Sequence, residues 1–353
     1  MIYKQLSYLP IIFQVDEGII LDVQDYLVRN KLLFSKVLVV SGLSHSHRIA
    51  VELVAKNNWE LYTLPNNTME DVDALKNYCL QHHVDLIVAL GGGKVLDSVK
   101  RVGYLINVNN LAVPTIISND GLISPIAVIK NDRGKTESLP GMMPMGVIID
   151  IDVIKNSPID YIRAAAGDIL SNISATHDWV LAFQSGHETM NDIAFHLSKS
   201  ASSALVHYHN VDLQSKEFLR LVVQGQINSG LAMSLAGTSR PCSGSEHLIS
   251  HAIDYYGLSH NVLHGTQVAS ISLFTLFLQG KLKSRYIKYA QATAIPLDFT
   301  RFLSDSSIET LCKIYEKAKE MRPGRVTILD TISQDEFITK IKQFQQLEIT
   351  YEK

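Results

Sequence analysis

Residues 85–97 read DLIVALGGGKVLD, and this segment constrains the fold more than any other. The run 85–90 is apolar on both faces, the pattern of a strand buried inside a parallel sheet. Gly91, Gly92 and Gly93 break it, and residues 94–107 then follow helical spacing. A buried strand that turns through glycine into a helix is half of a βαβ unit. The alternation extends both ways along the chain. Residues 11–15, 36–40, 61–64, 111–117 and 147–150 read as further strands, and residues 19–33, 48–57 and 68–82 read as helices, the last with Thr68 as candidate N-cap. A mostly parallel α/β sheet is expected. After Ser157-Pro158 the strand signals stop, and 160–171, 175–185, 192–208, 216–236, 246–256 and 265–279 read as helices. The expected organisation is an α/β domain over 1–157 and an all-helical domain over 158–353.

Composition narrows the class of protein. The 353 residues are enough for about two domains at ~150 residues each. With 46% hydrophobic and 19% charged residues, disorder is excluded. The formal charge of 32 − 35 = −3 argues against a nucleic-acid partner, which calls for a basic field. Cys79, Cys242 and Cys312 are widely spaced and form no CxxC, so neither a disulfide framework nor a cysteine zinc site is expected. The first twenty residues hold one lysine and no long apolar core, unlike a signal peptide. No apolar run reaches the ~20 residues of a membrane span. The longest, 268–278, carries serines and a threonine and reads as a core helix. A cytoplasmic location is expected.

Three groups of residues could carry chemistry. The glycine turn lets backbone approach a ligand, and the helix N-terminus behind it suits a phosphate. It is neither a Walker A loop nor GxGxxG, because Leu96 stands where the third glycine would be. A plain tight turn is the alternative. The loop 114–121, PTIISNDG, follows a strand and offers small polar groups and Asp120; it reads equally as an Asx turn. In the second half lie Asp168, His264, and a pair, His247 and His251, spaced one helical turn apart. One Asp and two His can hold a divalent metal with a position open for substrate. Among 13 histidines, core imidazoles with satisfied hydrogen bonds are the alternative. His45, His47, His82, His83, His207 and His209 read as loop or solvated-face residues.

The segments GGGKVLDSVK (91–100), VPTIISNDGLISPIAV (113–128), GVIIDIDVI (146–154), AGDILSNISATHDWVLA (166–182), SRPCSGSEHLISHAID (239–254) and LHGTQVA (263–269), with a weaker RPGRVTIL (322–329), together resemble the iron-containing alcohol dehydrogenase superfamily, which includes dehydroquinate synthases. Within it the SEH segment is most similar to the sn-glycerol-1-phosphate dehydrogenases, with glycerol dehydrogenases as near relatives. The resemblance implies a Rossmann-like dinucleotide-binding domain followed by a helical metal- and substrate-binding domain, with chemistry in a cleft between them. It implies NAD or NADP on Gly91, Gly92, Gly93, Lys94 and Asp97, with Thr115, Ser118 and Ser124 near the nicotinamide. It implies metal ligands at Asp168, His247 and His264, and substrate-side catalytic roles for Asp120 and His251. Zinc is the expected ion, with iron and nickel as alternatives, and a homo-oligomer is expected. Asn119 departs from the histidine more usual before the aspartate. The residues after the second strand, Ser41-Gly42-Leu43, include no acid to exclude a 2′-phosphate, so both nicotinamide cofactors are expected to serve. Arg240, beside the SEH segment, is the candidate partner for a substrate phosphate, with a surface salt-bridge residue as the equal alternative. The implied reaction is reduction of dihydroxyacetone phosphate to sn-glycerol 1-phosphate. Rivals are a glycerol dehydrogenase, a dehydroquinate-synthase-like lyase and a relative that only binds nucleotide.

Overall fold

A computed structural model describes residues 9–131, 134–260 and 262–351. The chain forms two compact units that divide between Pro158 and Ile159.

In the first unit strands and helices alternate: β1 (Ile12–Asp16), α1 (Val23–Arg29), β2 (Val37–Ser41), α2 (His45–Asn57), β3 (Glu60–Thr63), α3 (Met69–Gln81), β4 (Leu86–Gly91), α4 (Gly93–Ile106) and β5 (Asn109–Pro114). A two-stranded hairpin of β6 (Ile126–Lys130) and β7 (Thr136–Pro140) comes next, then β8 (Gly146–Asp150) and the short α5 (Ile151–Lys155). The main sheet has six strands in the order β1-β8-β5-β4-β2-β3, and every neighbouring pair is parallel. The inner strands β2, β4 and β8 are buried along their whole length, which is why they read as unbroken apolar runs. Edge strands β1 and β3 are partly exposed. Thr68 caps α3 with a capping box: its Oγ1 accepts from the Asp71 N–H at 3.2 Å, and Asp71 accepts from the Thr68 N–H at 3.0 Å.

The topology fixes where a ligand is received. From β2 the chain moves outward to β3, but from β4 it moves the opposite way to β5. The connections therefore part between β2 and β4, and open α/β sheets bind ligands outside the carboxyl ends of the strands at such a reversal. The glycine turn leaves β4 at that point. Register levels it with the end of β5, since Gly91 pairs with Pro114 and the Thr115 N–H donates to the Gly91 carbonyl at 3.0 Å.

Two features of this unit depart from the sequence reading. The strand expected over 111–117 ends at Pro114, where the chain leaves the sheet for the loop. The β6–β7 hairpin lies outside the main sheet: β6 is a short apolar run, Ile126–Ile129, but its partner β7 is mostly polar, nowhere fully buried, and carries no strand pattern.

The second unit is built of helices: α6 (Ile159–Gln184), α7 (Asp192–Val206), α8 (Lys216–Ala236), α9 (Ser245–Tyr255), α10 (His264–Leu278), α11 (Ser284–Ala292), α12 (Ile308–Glu320) and α13 (Gln334–Tyr351). The stretches expected as two helices, 160–171 and 175–185, are one continuous α6. The polar residues at the expected break are satisfied without leaving the helix. Ser171 Oγ donates to the Asp168 carbonyl at 2.6 Å, Asn172 Nδ2 to Ser229 Oγ at 2.8 Å, and Ser174 Oγ to Glu246 at 2.8 Å. Residues 265–276 of α10 are all buried, so the apolar run there is core. No described helix is long and apolar enough to cross a membrane.

Candidate functional site

Three helices of the second unit converge on one point. A Cβ on Gly167 would lie 2.6 Å from the Gly265 carbonyl oxygen and 2.9 Å from the Ala269 Cβ. The absence of that carbon lets α6 cross α10 at close range. The crossing is one residue from Asp168 on α6 and one from His264 at the start of α10. Helix α9 delivers His247 and, one turn on, His251. The donor atoms of Asp168, His247 and His264 all lie within 4.8 Å of one another. His247 Nε2 is 3.9 Å from Asp168 Oδ1. The His251 ring is stacked beside His264 at 5.9 Å and lies 6.1 Å from His247, so it flanks the trio.

These residues fit a divalent cation. Two imidazole nitrogens and one carboxylate oxygen suit zinc, iron or nickel, and no thiolate favours a softer ion. Asp168 is only 3% exposed. Burial holds the His264 imidazole well below its ordinary pKa, in the neutral form that ligates metal. Burial, His247 and two arginines, Arg322 and Arg325, push His251 down to about 3.

A neighbour that the sequence reading did not assign sets the geometry. Glu246 is fully buried, and its Oε1 lies 2.9 Å from His247 Nδ1. The same carboxylate accepts from the Gly244 N–H at 2.6 Å and from Ser174. With Nδ1 engaged, the other ring nitrogen of His247 faces Asp168; a carboxylate behind a ligating histidine orients the ring and fixes its tautomer. Its sequence signal was the Glu-His dipeptide itself. Asp178, buried beside it, accepts from Ser245 N–H, Gln279 and Ile328 N–H. Burial and the charge of Glu246 raise its carboxyl to about 6.

In the first unit, Gly93, Asp97 and Ser118 line one small pocket with Leu96, Ile116, Ile117, Asn119, Gly121 and Leu122. The three glycines are not equivalent. A Cβ on Gly91 would press on Val95 at 2.8 Å, so that glycine serves packing. Around Gly92 and Gly93 a Cβ would meet nothing closer than 3.9 Å. Open space there, at the N-terminus of α4, suits a pyrophosphate. Asp97 turns to Lys100, 2.7 Å away, and Lys100 also donates to the Gly121 carbonyl. Burial pushes the Asp97 carboxyl up against the pull of Lys100. Thr115 and Ser124 are buried, Asp120 is partly exposed in the loop after β5, and Lys94 is exposed. Asn119 caps the short turn there through the Gly121 N–H at 3.0 Å.

Arg240 does not meet the expectation of an open phosphate contact. It is 1% exposed. Its Nε donates to Glu188 at 2.9 Å, and its Nη2 donates to the carbonyls of Asp178 and Val326. It fastens the chain around Val326 to α6.

Residues 14–158 match the family described as iron-containing alcohol dehydrogenase. The glycerol-1-phosphate dehydrogenase [NAD(P)+] of Staphylothermus marinus is 34% identical over 329 residues, 91% of this chain and 92% of that protein. The enzyme of the same name from Archaeoglobus fulgidus is 37% identical over 70% of this chain and 71% of its own. In fold, the chain is similar to a probable glycerol dehydrogenase from Sinorhizobium meliloti, with TM-score 0.78 at 18% identity over 97% of this chain and 98% of that one. The glycerol dehydrogenase of Schizosaccharomyces pombe superposes with TM-score 0.75 at 18% identity, over 98% of this chain and 93% of that one. The chain belongs to the iron-containing alcohol dehydrogenase family.

Proposed function

We propose that this chain is an NAD(P)-dependent, metal-requiring dehydrogenase that interconverts dihydroxyacetone phosphate and sn-glycerol 1-phosphate. The observation that carries the reading is the convergence of Asp168, His247 and His264 within 4.8 Å beside the close crossing of α6 and α10. The activity for which the Staphylothermus and Archaeoglobus relatives are named supports the substrate. A divalent ion on these three residues, zinc in our reading, supplies Lewis acidity toward the substrate oxygen, and the nicotinamide supplies or takes the hydride. The chain's own residues do the rest. Glu246 holds His247 in one tautomer, burial keeps His264 neutral, and His251 flanks the substrate oxygen. The N-terminus of α4, with Gly92, Gly93 and Lys94, receives the pyrophosphate, while Thr115, Ser118 and Ser124 sit toward the nicotinamide. Asp120 offers a carboxylate to the substrate. Three cysteines without a disulfide support a reducing, cytoplasmic setting.

The test runs two ketones in parallel. Metal-reconstituted protein is mixed with NADH or NADPH, and absorbance is followed with dihydroxyacetone phosphate or dihydroxyacetone. Rapid oxidation with the phosphorylated ketone alone is expected. Equal or faster turnover of the unphosphorylated ketone would make this a glycerol-type dehydrogenase, and no net cofactor oxidation with either would point to the lyase.

The same assay tests cofactor choice. The end of β2 and the turn that follows, Ser41 to Ser44, hold no carboxylate to meet an adenosine ribose. The kcat/KM values for NADH and NADPH are therefore expected to lie within about tenfold of each other, or ~1.4 kcal/mol. A hundredfold preference for NADH would contradict this.

A further inference from the structure

We propose that Arg322 and Arg325 form the subsite that takes the substrate's phosphate, an inference that rests on the substrate reading above. With Arg240 committed to Glu188 and two carbonyls, a phosphate needs another cation. The segment Arg322-Pro323-Gly324-Arg325 is a β-turn, closed by the Arg325 N–H donating to the Arg322 carbonyl at 3.1 Å. Proline at the second position and glycine at the third, with φ +82°, are what a type II turn requires. The turn holds the two arginines at its ends, close in space.

Neither arginine is neutralised by a contact. Arg325 Nη1 donates to the Ser243 carbonyl at 2.9 Å and to Ser243 Oγ at 3.1 Å, and Nη2 donates to Ser239 Oγ at 3.1 Å. All its acceptors are uncharged. The Arg322 side chain makes no hydrogen bond or ion pair with the described residues, and it is only partly exposed. Of the three guanidinium groups, only that of Arg240 contacts a carboxylate, Glu188. Burial first, then the charges of Arg240 and Arg322, bring Arg325 down to about 10 against the pull of Glu188 and Glu246.

The location fits the reaction. Ser243 lies four residues before His247, in the loop that leads into α9, so Arg325 is tied to the chain that carries the metal-site histidine. A phosphate dianion would bridge the two forks in charge-assisted, bidentate contacts. An unphosphorylated polyol would leave both charges unmatched.

Arg322 is the position to change, because its side chain has no structural bond to lose. Metal-loaded protein saturated with NAD+, which occupies the other phosphate-binding loop, is titrated calorimetrically with inorganic phosphate. KM and kcat for dihydroxyacetone phosphate are measured alongside. In R322A the Kd for phosphate and the KM for the phosphorylated ketone are expected to rise together by about 10- to 100-fold, with the larger part of the loss in KM, and R322K is expected to recover part of both. The kcat/KM ratio of phosphorylated to unphosphorylated ketone should fall by the same factor. Unchanged phosphate binding and KM in R322A would overturn the subsite while leaving the substrate reading in place. Loss of phosphate binding in R322A, with no reduction of dihydroxyacetone phosphate by the wild type, would uphold an anion subsite and overturn the substrate.

Discussion

Replacing His264 by alanine is expected to remove the bound metal and lower kcat/KM by about a thousandfold or more, several kcal/mol of transition-state stabilisation. The reason is geometric. Asp168, His247 and His264 are the described group of His, Cys, Asp and Glu residues able to share one ion, so losing one leaves two donors. Metal content after dialysis, measured by mass spectrometry, is the direct readout. A variant that keeps one ion per chain and more than a tenth of wild-type activity would remove His264 from the site. His251, which stacks on His264 but lies outside the donor trio, is the comparison. H251A should retain metal and lose activity less steeply.

Gly167→Ala is expected to damage stability and the site together. The new methyl would sit 2.6 Å from a backbone carbonyl oxygen and 2.9 Å from another Cβ, and neither can swing aside as a long side chain would. The helices α6 and α10 must separate instead. Overpacking of this kind costs about 1–3 kcal/mol, which for a unit of this size lowers the melting temperature by roughly 3–10 °C. Asp168 and His264 adjoin the contact, so separating the helices pulls two donors apart and metal affinity should fall with stability. Gly93→Ala is the control. It introduces the same methyl where nothing lies within 4 Å, and it should leave the melting temperature unchanged or slightly raised. Equal melting temperatures and equal metal content for G167A and wild type would show that the close crossing is not what assembles the site.

The individual side chains of the site were legible before any fold was known, but their relationships were not. Asp168, His247 and His264 stood out by type and by resemblance to a family. They are 79 and 17 residues apart, and no local periodicity links residues at those distances. The crossing of α6 and α10 at Gly167 joins them, and a glycine in a helix has no pattern that says which backbone it will meet. Arg240 shows the reverse case. Its neighbours in sequence recommended it for phosphate, but burial commits it to Glu188 and to two carbonyls. The arginines at 322 and 325 lay in the weakest of the matching segments, and only folding brings Arg325 onto Ser243 in the loop before α9.

By itself the sequence determined the βαβ alternation, the buried strand ending in glycines and the capped start of α3, because each depends on residues within one or two turns of each other. It also determined the mainly helical second half. Only tertiary structure decided that 159–184 is one helix, since Ser171, Asn172 and Ser174 would favour a break unless carbonyls and neighbouring helices satisfy them. Only tertiary structure made Gly91 a packing residue and Gly93 an open one, and only it turned Glu246 toward His247. Local spacing reports what a backbone will do; which buried polar groups meet depends on partners brought from far along the chain, and their burial makes each such meeting obligatory.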